Sequence, residues 1–248
     1  MIQYLTADLW RINRRIPRIV AWVLYLIIGI ASTLFTANQN VFNFIKLGNS
    51  IVFALSLWTI FLAMTNLYFV FEDDLQTKTL LTAIGQGIKR YQIIFVKWFE
   101  MLLLTLFDCI SLTTVMWITG LAKGVTLKGS ALTKVSVQLA ITCLTFGVMT
   151  SLIMIIIFHI MHLGLTQLLF CLLVFKPISL ILKYLEMNNE ILAKLRFSRF
   201  LIGNNLDSFH TSLNAGRFSV KYFIVIFIYW AIGMGVTYLL FRKKELDF

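Results

Sequence analysis

The chain has 248 residues, of which 59% are hydrophobic and only 13% charged, with a mean hydropathy of +0.86. A soluble domain of this size needs a more highly charged surface, so the composition excludes an ordinary water-soluble globule and fits an exterior that faces lipid. The net charge of +11 comes from basic residues in the gaps between apolar runs, where they meet anionic headgroups; this weighs against nucleic-acid binding.

Residues 1–18 read MIQYLTADLWRINRRIPR. Leu5, Leu9, Ile12 and Ile16 recur at helical spacing, and Arg11, Arg14, Arg15 and Arg18 occupy other positions. The pattern predicts an amphipathic helix lying in the membrane interface, with Trp10 at headgroup depth and Pro17 turning the chain into the bilayer.

A bilayer core of about 30 Å takes roughly 20 apolar residues in a helix. Six segments meet or approach that length: 19–37, 51–71, 99–120, 133–158, 160–182 and 220–241. The expected fold class is therefore all-α: a polytopic membrane protein forming one transmembrane domain over 1–248. Lysine and arginine counts in the flanks place both termini in the cytoplasm. The basic connections around 123–134 and 183–221 fit that orientation less well. The second of these predicts a short helix around Leu185–Arg199, after a break in the fifth span at Lys176-Pro177.

The most polar run, FEDDLQTKTLLTAIGQGIKRYQIIFVKWFE, spans Phe71 to Glu100 between two apolar segments. Asp73 or Asp74 suits the N-cap of a helix through Leu75, Thr79, Leu80 and Ala83, ending at Gly85-Gln86-Gly87. Tyr91, Ile94, Phe95 and Trp98 then form an apolar stripe on a second, interfacial helix. The stretch is expected to be a compact cytoplasmic elbow on which another protein docks.

Within the third span, Asp108 stands out, because an isolated carboxylate in a bilayer is costly and usually faces the bundle interior. Asn66 and Gln167 are candidate polar partners, and Glu100 lies two turns away on a similar face. These residues form either a structural polar network or part of a substrate path. Cys109, Cys143 and Cys171 lie in apolar runs without metal-ligand spacing. His159, His162 and His210 form no metal motif, and no phosphate-binding G-x-x-x-x-G-K-[ST] loop is present, so the chain is not expected to hydrolyse ATP itself.

The layout and the polar stretch together resemble the ABC-2-type transporter permeases, the membrane half of an ATP-binding-cassette exporter. The resemblance rests on the acids Glu72, Asp73 and Asp74, on Thr77, on the pair Leu80-Leu81, on the turn Gly87-Ile88-Lys89-Arg90, and on Ile93 and Lys97. Gln76 and Lys89 depart from the glycine and serine usual in that pattern. The resemblance implies a coupling helix from Asp74 to Ala83 seated in a separate ATPase, with Asp73, Asp74, Thr77, Leu80, Leu81, Ile84 and Arg90 at the contact. It also implies a cytoplasmic ATPase dimer that binds ATP and Mg, a second permease chain (the same or a sister), and a bacterial plasma-membrane location. The compact size is similar to that of permeases for bacteriocin or antimicrobial-peptide export and immunity. The weakly polar spans suit an amphipathic cargo. A membrane scaffold or sensor and an ion-driven carrier remain alternatives.

Overall fold

The computed structural model describes residues 2–37, 44–76, 79–125, 129–160, 163–174 and 220–243, together with the isolated positions 184, 186, 208 and 212. All regular elements among them are helices: α1 (Ile2–Asn13), α2 (Ile16–Ala37), α3 (Phe44–Gln76), α4 (Thr79–Gly85), α5 (Arg90–Ala122), α6 (Gly129–Ile160), α7 (Leu163–Val174) and α8 (Val220–Lys243). Four stretches among the described residues are long and apolar enough to cross a membrane: Ile16–Ala37, Arg90–Ala122, Val135–His159 and Val220–Arg242. They coincide with the first, third, fourth and sixth predicted segments. The second, 51–71, lies inside the continuous helix α3. Of the fifth, only α7 is described; its 12 residues span about 18 Å, short of a bilayer core. The predicted helix around 185–199 and the Lys176-Pro177 break lie outside the described residues.

Several expectations change. The N-terminal helix ends at Asn13, and the chain breaks at Arg14 and Arg15 rather than at Pro17. Pro17 instead occupies the first turn of α2, where a missing N–H costs nothing because that group has no helical acceptor. Asp73 and Asp74 do not cap α4. They lie in the last turns of α3, which runs unbroken from Phe44 to Gln76. A separate interfacial helix before the third span is also absent: α5 is a single helix of 33 residues, about 50 Å long.

The ends of these helices follow from local sequence. Gly87, at φ 88°, closes α4, with Gly87 N–H donating to Ile84 O and Ile88 N–H to Ala83 O. This paired bonding around a left-handed residue is a Schellman motif, and glycine is the residue that adopts it without strain. Gln92 Oε1 accepts a bond from the Lys89 N–H at 3.1 Å, the reciprocal half of a capping box at the start of α5.

The chain divides into two compact units, Met1–Thr77 with Val96–Phe146, and Lys78–Phe95 with Gly147–Phe248. The first has an apolar core of Leu47, Ile51, Ala54 and Leu55 from α3 against Cys109, Leu112 and Met116 from α5, joined by Val135 of α6. Trp22 of α2 stacks on Phe107 of α5 at 5.9 Å.

In the second unit, Phe158 of α6 packs on Phe241 of α8 with ring centroids 4.7 Å apart. Gly233 lets α8 approach α6 closely: a Cβ there would lie 2.9 Å from the Ser151 carbonyl carbon and 3.0 Å from its oxygen. Backbone atoms cannot swing aside as a side-chain tip can. Gly233→Ala is therefore expected to cost about 1–3 kcal/mol of stability. Gly235→Ala, which meets nothing within 4 Å, is expected to be neutral or stabilising by up to about 1 kcal/mol, since alanine favours helix over glycine. Thermal unfolding of the two variants in detergent checks the contrast.

Candidate functional site

The polar groups of the first unit gather in two buried places. The larger is centred on Lys97 of α5, whose side chain has no solvent exposure. Its ammonium bonds the Asp8 carboxylate of α1, meets Asp74 Oδ2 of α3 at 2.5 Å and Glu100 Oε2 at 3.3 Å, and donates to Val70 O at 3.3 Å. Arg11, one turn beyond Asp8 on α1, pairs with Asp8 and reaches Asp73 Oδ2 at 2.8 Å and Asp74 Oδ1 at 3.9 Å. Arg15, at the break between α1 and α2, pairs with Glu72 Oε2 at 3.1 Å and also with Asp73. The Tyr68 hydroxyl bonds the other oxygen of Glu72.

Helix electrostatics explain why so many cations converge there. The C-terminal end of a helix carries partial negative charge from its free carbonyls, so three acids in the last turns of α3 are unfavourable alone. Arg11, Arg15 and Lys97 offset them, and in doing so fasten α1 and the start of α2 to α3 and α5. Burial alone would raise the Asp8 carboxyl, but the Lys97 ammonium and Arg11 outweigh it and hold Asp8 below the usual carboxylate range. Burial also pushes the Tyr4 hydroxyl up to about 12, against the opposing pull of Lys97, whose Nζ lies 5.9 Å from the ring.

The second place is centred on Asp108. Arg18 Nη2 of α2 donates to Asp108 Oδ1 at 2.7 Å, and Asn66 Nδ2 of α3 donates to Asp108 Oδ2 at 2.8 Å. Thr105 Oγ1 is 3.5 Å from the same Asn66 nitrogen. Arg18, Asn66 and Asp108 are all buried. Both carboxylate oxygens are thus engaged, and the group links α2, α3 and α5.

Of the residues singled out from sequence, Asn66 and Asp108 come together, whereas Glu100 belongs to the Lys97 cluster with Asp73 and Asp74. Leu80 is buried inside the chain, so it does not present a free face to another protein. Its hydrophobicity, read as a docking signal, is used in internal packing. Ile84 is half-buried and Thr82 exposed. Thr77 and the side chain of Leu81 lie outside the described residues. Arg90 turns inward within the second unit: its guanidinium bonds the carbonyls of Phe241 and Arg242 and lies 5.3 Å from the Phe241 ring. It serves there as a C-terminal cap for α8.

Sequence reasoning missed Asp8, Arg11, Arg15 and Arg18 as partners of the acids. A signal was present: Arg11, Arg15 and Arg18 follow one another at spacings of four and three, with Asp8 three before Arg11, which is the register of a single helical stripe. No family model matches the chain, and no curated protein is similar to it in sequence.

Proposed function

We propose that this chain is the membrane-spanning subunit of an ATP-driven exporter, in which a separate cytoplasmic ATPase moves the elbow between α3 and α5 and thereby tilts the spans. The carrying observation is that the described residues of the polar stretch are built as ordered structure. α3 stays helical past its apolar run, α4 closes in a glycine cap, α5 opens with a side-chain cap, and both long helices are ion-paired at this end. Such an arrangement passes on a displacement that a flexible linker would absorb.

Placement of the elbow and both termini in the cytoplasm draws support from each unit separately. In the first, the N-terminal helix and the end of α3 meet α5 near its beginning; in the second, the first residue of α5 holds the end of α8. The basic flanks of α1 and of α8 assign these helix ends to the cytoplasm under the positive-inside rule. The wider reading follows the resemblance: a bacterial plasma-membrane complex, two permease chains with two ATPases binding ATP and Mg, and an amphipathic peptide as cargo.

Since Leu80 is packed internally, the docking face is taken as the exposed side of the elbow, including Thr82 and Gln86. The test is copurification from native membranes. The tagged full chain is expected to carry ATP-hydrolysing activity, and Thr82→Arg with Gln86→Arg is expected to lower the amount retained by about tenfold, a loss of ~1.4 kcal/mol in binding. A chain that retains no ATPase overturns the exporter reading. An ATPase retained equally by the double variant overturns the elbow as its seat.

A further inference from the structure

The Lys97 cluster contains more acid than base. Five carboxyl groups (Asp8, Glu72, Asp73, Asp74 and Glu100) face three cations, Arg11, Arg15 and Lys97. Glu72 and Asp73 are partly exposed and bonded to arginine, so water and guanidinium stabilise their charge. Glu100 has neither. Its side chain is fully buried, neither oxygen accepts a hydrogen bond from a described residue, and its one cationic neighbour among the described residues, Lys97, already holds Asp8 and Asp74 at closer range. An ionised carboxylate in that position bears a desolvation penalty that a shared ammonium does not repay.

Asp8 and Glu100 both pair with the same Lys97 ammonium, which holds their carboxyl groups close together. Two carboxylates at that separation repel, whereas a carboxylic acid beside a carboxylate donates to it. The other polar and charged groups near the pair, among the described residues, are Tyr4 and Arg11 on α1, Asp73 and Asp74 on α3, Lys97 on α5, and Arg15 at the break between α1 and α2.

We propose that the Lys97 cluster is a proton-binding site, with the proton carried on Glu100 and donated to Asp8 across the junction of α1 and α5. Asp8 and Asp74 are then the two anions on Lys97, and Glu100 is a neutral donor that ties α1 down through a second bond. Release of the proton leaves three anions around one ammonium and sets Asp8 against Glu100, so deprotonation loosens α1 from α5. This proposal is independent of any ATPase or cargo, and it stands or falls on the chain itself.

The experiment is infrared spectroscopy of the purified full chain in lipid nanodiscs at neutral pH. A carbonyl stretch of a protonated carboxyl group, recognised by its small downshift in D2O, is expected in the wild type, absent in Glu100→Gln and retained in Asp108→Asn. Absence of the band from the wild type overturns the proposal, as does a band that persists in Glu100→Gln. A band lost in Asp108→Asn places the proton in the other buried group and overturns it equally. If Glu100→Gln fails to fold, Glu100→Asp replaces it; a band unmoved in frequency and in pH midpoint then counts against the proposal.

Discussion

Lys97→Met is expected to lower stability by about 3–5 kcal/mol, the usual cost of removing one partner from a buried ion pair. Methionine fills nearly the same volume, so the loss is electrostatic rather than a cavity effect. Asp8 and Asp74 lose the ammonium between them, and the carbonyl of Val70 loses its donor. Asp8 retains Arg11 in direct contact and Asp74 retains it at 3.9 Å, so each carboxylate is left with one cation fewer in a buried place. Adding Asp8→Asn to Lys97→Met is expected to recover part of the loss, since a neutral amide is cheaper to bury than a carboxylate that has lost one of its two cations. Chemical or thermal unfolding of the single and double variants in detergent provides the measurement. A Lys97→Met protein within about 1 kcal/mol of the wild type would mean that the cluster is hydrated and not the clamp described above.

Arg18→Met is the second large effect, again about 3–5 kcal/mol, because Asp108 then keeps Asn66 alone among the described residues and sits just past the middle of the membrane-crossing helix α5. Here too the rescue is the sharper test. Arg18→Met combined with Asp108→Asn removes both charges while leaving Asn66 an acceptor, and is expected to lie well above Arg18→Met alone in unfolding midpoint. The difference between the double variant and the sum of the singles gives the coupling of α2 to α5 through this pair. Because both Asp108 oxygens are occupied, the double variant is also expected to transport as the wild type does in any assay of cargo movement. A folded double variant without transport would give Asp108 a role beyond holding helices together.

Much of the helical layout was legible because a bilayer imposes a length on any apolar run that crosses it, and 19–37, 99–120, 133–158 and 220–241 met that length. The end of α4 was legible for a local reason: glycine at position 87 removes the strain of a left-handed residue, and the pattern Gly-Gln-Gly marks a stop. Asp108 and Asn66 were readable as a pair, since each is an isolated polar group in an apolar helix and needs a partner.

Partnerships made over long sequence distance were not readable. Lys97 finds Asp8 across 89 residues and Arg18 finds Asp108 across 90, and no local rule connects them. The acids at 72–74 were misplaced for a related reason. Asp is a common N-cap, so FEDDLQ reads as the start of a helix when only neighbours are considered. In the folded chain, arginines from α1 and the α1–α2 break neutralise the same acids at the end of α3, which lets that helix continue to Gln76.

The exposure of α2 has a consequence for how the protein sits among lipids. Only Arg18, Gly29 and Thr33 of its residues are buried, and 11% of its apolar window is covered by protein. The Arg18 bond to Asp108 pins one end, and Gly29 lies against Leu112 further along. Most of its surface is therefore left free for acyl chain, and its tilt is expected to follow bilayer thickness more than its neighbours within the chain. A change in acyl length acts on this helix as torque about a fixed ionic pivot.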